Sequence, residues 1–346
     1  MDIRSEQLKQ VFFSVLLVTR NEEKYIARLL DTLLEQDFSQ RAYEIIIIDG
    51  LSNDNTRELI KNYQQKSPNM IRMFDNPQQT LPPGWNIGIK QAYGDYVLRI
   101  DGHTEVKANF LSSYKEAIEQ EPEASCVGGI ILSKGKGFQG EVNQFVFSHP
   151  FGVGRSKFRT LNKEWHGYTE TVPYGAYKKE VFLEVGYFNE DLKRNEDIEF
   201  HRRMKEKGHT FYLTTDIQSV YYVRDTLKGL FLKSFGDGMW SVIANRLTPG
   251  ALSFFKRLPL LAFIIGLSLV CLTIYNTNFV YLLVGCVGAY LALAAFFSIR
   301  LMKEKGCSHF FFSIVSFFCL HFARGLGSFL AYFKKEYWMI RNNIKG

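Results

Sequence analysis

Three short stretches put acids where chemistry is possible. In "YEIIIIDGLSND" four isoleucines run into Asp49. A carboxylate there can accept hydrogen bonds from a ligand, or it can close a turn and cap the next segment, a task for which Asp54 is better placed. In "YVLRIDGHTEV" Asp101 and His103 are two residues apart at the end of an apolar run. As the chain leaves a strand, that spacing can aim both side chains at one cation. Carboxylate plus imidazole suits Mn²⁺ better than Mg²⁺, and the pair becomes a good site once substrate phosphates complete it; an Asp-Gly turn followed by an exposed histidine explains the same residues equally well. In "LKRNEDIEFHRRMKEKG" Glu196 and Asp197 precede a helical pattern. Acids there are stabilised by the helix dipole, and one that faces a pocket can deprotonate a hydroxyl. Arg202 and Arg203 are either solvated or in reach of a phosphate.

The elements that position these residues alternate. "VFFSVLLVT" (11–19) predicts a strand, and "NEEKYIARLLDTLLEQ" a helix with Ile26, Leu29, Leu30, Leu33 and Leu34 on one face and Asn21 able to cap it. "YEIIIID" (43–49) is apolar almost throughout, as in a parallel strand buried on both faces. A helix from "DNTRELIKNYQQ", a strand from "MIRMFD", a helix from "PGWNIGIKQAYG" and a strand from "DYVLRID" follow. This order predicts a doubly wound α/β sheet. Ligands gather at the carboxyl ends of such strands, where Thr19-Arg20-Asn21-Glu22, the segment after Asp49, and Asp101-Gly102-His103 fall. No GxGxxG follows the first strand and no GxxxxGK[ST] occurs, which argues against dinucleotide and P-loop sites.

Charge and hydropathy divide the chain. Residues 251–346 carry ten Lys and Arg against two acids, a balance of +8, so the +7 of the whole chain leaves the first 250 residues at −1. A basic face for nucleic acid is therefore not expected on the N-terminal part. Arg257 and Arg300 enclose 42 residues without a charge, room for two membrane spans at about 258–275 and 279–299. A third apolar segment, about 308–333, contains His309, His321 and Arg324; such charges are costly in a span, and the positive-inside rule disfavours exporting "KKEYWMIRNNIK", so a re-entrant or interfacial segment is expected over a third crossing. Leu227, Leu230, Phe231 and Phe235, interleaved with Lys228 and Lys233, make 225–257 either an interfacial amphipathic linker or an ordinary packing helix. The N-terminus lacks a signal-peptide pattern, so a cytoplasmic domain is expected over 1–240, and 258–346 is the membrane region. The five cysteines show no CxxC spacing and predict neither zinc nor disulfides.

Together these motifs resemble the family-2 glycosyltransferases with a GT-A fold, over roughly residues 11–240. "VLLVTRNEEKYI" is similar to the family's opening strand and turn. "EIIIIDGLSNDNT" is similar to its nucleotide-binding segment, "GWNIGIKQAYGDYVLRIDGHTEV" to the helix and strand that end in its metal motif, and "VPYGAYKKEVFLEVGYFNEDLKRNEDIEFHRRMKEKG" to its acceptor region and ED motif. "HPFGVG", "VPYGAY", "RNEDIEF" and "ARGLGSFL" further resemble the membrane-associated branch that builds succinoglycan-type exopolysaccharides.

The resemblance implies an inverting transferase that moves a hexose from a nucleotide-diphosphate sugar, a UDP-sugar foremost, to a lipid-linked saccharide at the cytoplasmic face of the inner membrane. It implies nucleotide-sugar binding by Thr19, Glu22, Asp49, Asn86 and Asp101, a divalent Mn²⁺ or Mg²⁺ on Asp101 and His103, Asp197 as the catalytic base, and Gly175, Glu196 and Arg203 on or behind the acceptor side. The sequence departs from the family pattern twice. His103 stands where a second acid is usual, and no QxxRW stretch follows Asp197, which favours transfer of one sugar over processive polymerisation. Rival expectations are transfer to polyprenyl phosphate itself, and a non-catalytic subunit that binds nucleotide sugar.

Overall fold

The computed structural model describes residues 11–161 and 163–339. Residues 1–10, on which the reading that the N-terminus lacks a signal-peptide pattern partly rests, and the tail after Met339 lie outside them. The chain divides into two compact units, Met1–Leu132 with Leu161–Tyr221, and Ser133–Thr160 with Tyr222–Gly346.

The first unit is built on one mixed sheet. Its strands are β1 (Phe13–Thr19), β2 (Tyr43–Asp49), β3 (Ile71–Asp75), β4 (Tyr96–Asp101), β5 (Glu105–Val106), β6 (Cys126–Lys134), β7 (His166–Thr169), β8 (Ala176–Lys178) and β9 (Phe211–Tyr222), in the order β3-β2-β1-β4-β8-β6-β9-β5 with β7 on β9. The first four are parallel, in a register that sets Thr19 beside Asp49 and Val18 beside Asp101. β8 joins antiparallel to β4. Every residue of β1 and β2 is buried, which is why their sequences are continuous apolar runs and not alternating ones. Helices α1 (Ile26–Leu34), α2 (Thr56–Lys66), α3 (Leu81–Gln91) and α4 (Phe110–Gln120) connect the strands, and α8 (Glu180–Val185) and α9 (Glu196–Glu206) follow β8.

Asn21 does not cap α1. It has φ +56° in the turn that follows β1, and its Oδ1 accepts from Asn53 N at 3.0 Å. The helix begins only at Ile26 because Glu22 N and Glu23 N donate to Thr56 Oγ1 (2.8 Å) and Asp54 Oδ2 (3.3 Å), which ties the turn to the loop after β2.

The second unit is helical: α5 (Gly137–Ser148), α6 (Pro150–Val153), α7 (Lys157–Thr160), α10 (Leu227–Leu247), α11 (Phe254–Tyr275), α12 (Phe279–Lys305), α13 (Cys307–Ala331) and α14 (Lys335–Met339). α11, α12 and α13, with 22, 27 and 25 residues, are each long and apolar enough to cross a membrane. The third apolar stretch is thus one unbroken helix, without the reversal a re-entrant loop requires. α10 packs along α13 through Leu230, Ser234, Gly238 and Val242 on its buried side, while Leu227 and Leu232 stay exposed.

The "ARGLGS" segment explains that packing. A Cβ on Gly325 would lie 2.4 Å from Pro259 O on α11, one on Gly327 2.1 Å from Phe235 O on α10, and one on Gly238 2.1 Å from Arg324 O. α13 is therefore held backbone to backbone by helices on two sides, an approach that only small residues permit.

Candidate active site

β1 lies between β2 and β4, so the chain connections diverge on its two sides and leave a crevice at the carboxyl ends of β1 and β4. Thr19, Glu22, Gly102 and His103 meet there. A Cβ on Gly102 would lie 3.2 Å from Thr19 Cγ2 and 3.3 Å from Glu22 Cγ. His103 Nδ1 is 3.2 Å from Glu22 Oε1, with both side chains partly exposed. Thr19 is 2 % exposed, and its hydroxyl makes no hydrogen bond among the described residues. A buried hydroxyl at a strand end bears a desolvation cost unless a ligand satisfies it.

Asp49, at the end of the neighbouring strand, is fully buried. Its Oδ2 accepts from Ser52 N (2.9 Å) and Arg57 Nη1 (2.6 Å), and its Oδ1 from Ser52 Oγ (2.6 Å). Arg57 also reaches Asp75 Oδ1 at 2.8 Å, and the two carboxylates raise its pKa. The carboxylate therefore fixes the loop of residues 50–53. Asp54 closes the same turn: its Oδ1 accepts from Thr56 N at 3.0 Å. The slight desolvation of Asp54 acts to raise its pKa, but the donors of Thr56 and Glu23 outweigh this and hold it below the usual value.

Asp101 ends β4, and its Oδ2 accepts from Tyr174 OH at 3.2 Å. Tyr174 has φ +45° and also accepts from Thr104 Oγ1 at 3.0 Å, while its carbonyl accepts from Tyr114 OH at 2.5 Å. A left-handed tyrosine is uncommon, and here three contacts hold it. The next residue, Gly175, offers its carbonyl to Arg99 N at 3.2 Å, and a Cβ on it would meet Cys126 Sγ at 2.5 Å. The "VPYG" turn is thereby fastened to β4.

Behind the crevice lies Arg99, in the strand two residues before Asp101. Its guanidinium stands 4.3 Å from the Trp85 ring and 4.6 Å from Phe188, and Nη2 donates to Glu196 Oε1 at 3.0 Å. Burial works to lower the Arg99 pKa, but Tyr177, Glu196, Asp197 and Asp101 around it prevail and raise it. Burial raises the Glu196 pKa; Arg99 opposes the shift and Asp197 adds to it. One cation thus stands within electrostatic range of the acid that ends β4 and of both acids that open α9. Asp197 is half-buried in the first turn of α9, with Oδ1 accepting from Ile198 N at 2.8 Å, and Asn195 before it is left-handed at φ +62°. One turn further along, His201 joins Thr171 Oγ1 and Tyr177 OH, each at 2.6 Å.

Two expected site residues serve as fasteners. Asn86 exchanges hydrogen bonds with Phe188 (2.9 and 3.0 Å) and donates to Glu190 Oε1 at 2.8 Å. Arg203 holds Glu199 at 2.7 Å and donates to the carbonyls of Val185 and Tyr187, each at 2.8 Å. The structure also brings forward Arg99, Tyr174 and His201, which the sequence motifs pass over. A lone arginine within the apolar run "YVLRID" was the available signal for the first.

Among the described residues no three His, Cys, Asp or Glu side chains gather to hold a metal. Asp101 and His103 supply a carboxylate and an imidazole beside the crevice, a donor set that fits a divalent ion whose remaining ligands come from a substrate.

A family model described as Glycosyl transferase family 2 matches residues 14–186. A relative from Methanococcus voltae, named dolichyl N-acetyl-alpha-D-glucosaminyl phosphate 3-beta-D-2,3-diacetamido-2,3-dideoxy-beta-D-glucuronosyltransferase, is 31% identical over 233 residues, which cover 66% of this chain and 72% of that protein. The succinoglycan biosynthesis protein ExoA of Rhizobium meliloti (strain 1021) is 26% identical over 257 residues, 71% of this chain and 74% of that one. Among solved structures, the mannosyltransferase PcManGT from Pyrobaculum calidifontis, in complex with GDP-Man and Mn²⁺, aligns with TM-score 0.61 at 16% identity, over 90% of this chain and 91% of that one. The latter likeness is one of fold, GT-A.

Proposed function

The chain belongs to glycosyl transferase family 2 and is a glycosyltransferase, and from that premise we propose that it transfers one hexose, with inversion, from a nucleotide-diphosphate sugar to a lipid-linked glycan in surface or exopolysaccharide assembly. The donor in this reading is a UDP-sugar, and the catalytic unit works at the cytoplasmic face of the inner membrane. The observation that carries the reading is the grouping of Asp101, Glu196 and Asp197 around Arg99 beside the crevice that Thr19 and Glu22 line. The two relatives support the reading: one name contains a dolichyl-linked sugar phosphate, the other the biosynthesis of succinoglycan. Three helices long enough to cross a membrane agree with it.

In this reading Thr19, Glu22 and the loop that Asp49 fixes receive the nucleoside, and Asn86 steadies the wall on which Phe188 and Glu190 sit. Asp101 and His103 would hold a divalent cation, which when bound offsets the negative charge of the departing diphosphate. Tyr174 keeps the Asp101 carboxylate in one orientation. Asp197 takes the proton from the acceptor hydroxyl as its oxygen bonds to the anomeric carbon, and the bond from that carbon to the diphosphate oxygen breaks on the opposite face. Glu196 stays paired with Arg99, so that one acid of the two remains available as base. Gly175 and Arg203 shape the acceptor side through the "VPYG" turn and the 185–187 carbonyls.

The test is transfer of a radiolabelled sugar, with a lipid-linked saccharide and bare polyprenyl phosphate offered as alternative acceptors. Transfer to the saccharide is expected, and Asp197→Asn should reduce it by about 10²-fold or more while donor binding stays. An Asp197→Asn protein with full activity would remove Asp197 from the role of base.

A further inference from the structure

Arg324 lies within the apolar helix α13, where a charge calls for a partner or a task. Two charged groups of the same unit stand within electrostatic range of it, Asp237 on α10 and Arg159 on α7. Asp237 Oδ2 is 2.9 Å from Lys233 Nζ. Lys233 in turn stands 5.7 Å from the centre of the Phe147 ring, and Arg159 stands 5.9 Å from the same ring. Phe147 is 2 % exposed, whereas Arg159, Lys233 and Arg324 are all partly exposed. Cations from three helices thus come together: Arg159 and Lys233 share the Phe147 ring, and Arg324 has Arg159 and the Lys233 partner Asp237 in range, in the unit that also contains the three long apolar helices.

Bringing like charges such as Arg159 and Arg324 into range of each other is costly through mutual repulsion. A guanidinium fork matches phosphate oxygens in pairs, and a lysine adds a point charge. We propose that Arg159, Lys233 and Arg324 form a binding site for the phosphate or diphosphate that joins the acceptor glycan to its lipid. The lipid chain would run along the apolar helices of the same unit, and Phe147 supplies the surface that turns both Arg159 and Lys233 towards the anion. This inference rests on the lipid-linked acceptor proposed above and adds where its anionic linkage is held.

The full chain in nanodiscs of neutral lipid, with excess nucleoside diphosphate present to fill the nucleotide crevice, would be titrated with farnesyl diphosphate, farnesol and inorganic diphosphate. Farnesyl diphosphate should bind at least about tenfold more tightly than either of the others, and Arg324→Gln and Arg159→Gln should each weaken it by about tenfold. Nucleotide binding, unchanged in both variants, reports an intact fold; if Arg324→Gln fails that check, Arg159→Gln decides. Equal affinity for farnesol would show an apolar groove alone, equal affinity for inorganic diphosphate a free-anion site, and unaltered binding in the variants a structural cluster; each overturns the proposal. Lipid-diphosphate binding in a protein that transfers no sugar to any lipid-linked saccharide would defeat the proposed function and leave this site standing. Transfer that persists while both arginine variants bind as the parent does would defeat this site alone.

Discussion

Arg99 Nη2 lies 3.0 Å from Glu196 Oε1, and this contact connects the strand that ends in Asp101 to the helix that opens with Asp197. Both side chains are largely buried, 12% and 7% exposed. Removing one member of such a pair strands the other. Arg99→Met is expected to cost about 3–5 kcal/mol, read as a lower denaturation midpoint, and Arg99→Met with Glu196→Gln together should cost less than Arg99→Met alone. A midpoint unmoved by Arg99→Met would mean that the pair does not brace the site.

Metal preference should follow residue 103. With an imidazole beside Asp101, Mn²⁺ should support donor binding better than Mg²⁺, and His103→Asp should move the preference towards Mg²⁺. Asp101→Asn should remove metal-dependent binding in either case. The measurement is the donor Kd with each ion; a preference that His103→Asp leaves in place returns the histidine to its contact with Glu22, 3.2 Å away.

Asp54 gives a pH dependence of known sign. Its pKa is lowered in the folded protein by the donors of Thr56 and Glu23, against a small desolvation that raises it. The carboxylate form therefore stabilises the fold above the unfolded value of about 3.9, and this contribution fades as pH falls through the lower folded value. Asp54→Ala, which removes the acceptor of two backbone N–H groups, should cost about 1 kcal/mol at neutral pH. The difference from the parent should shrink below about pH 4, as followed by melting temperatures across pH; a constant difference would contradict the role of its hydrogen bonds with Thr56 and Glu23.

The helix contacts in the second unit should tolerate no added volume. Gly238→Val places a Cβ 2.1 Å from Arg324 O and should destabilise this unit by about 1–3 kcal/mol or more. Gly266→Val, where a Cβ meets nothing within 4 Å, is the control. Similar melting of the two variants would refute the backbone-to-backbone packing.

The parallel half of the sheet was legible because it is buried on both faces: "YEIIIID" and "DYVLRID" give β2 and β4 to within a residue. The positions of Asp49, Asp101 and Asp197 followed from strand and helix ends. What stayed hidden depends on distant partners. Asp49 is occupied by Arg57 eight residues away, Asn86 by the backbone of Phe188, and Tyr174 reaches Asp101 from a turn far along the chain. Periodicity registers neighbours on one element and says nothing of such pairings. The third apolar segment, expected as re-entrant or interfacial because of His309, His321 and Arg324, folds as one continuous helix, in which Arg324 has Asp237 in range.

α5 meets α13 through Gln139 Nε2 to Ser316 Oγ at 3.0 Å and the ring contact of Phe145 with Phe317 at 5.9 Å. The ribosome makes these partners far apart in time. The 133–160 stretch emerges early and must wait for this partner until the last long helix has been synthesised. No single cut can therefore separate the two units; isolating the first requires removal of 133–160 as well as a stop after β9.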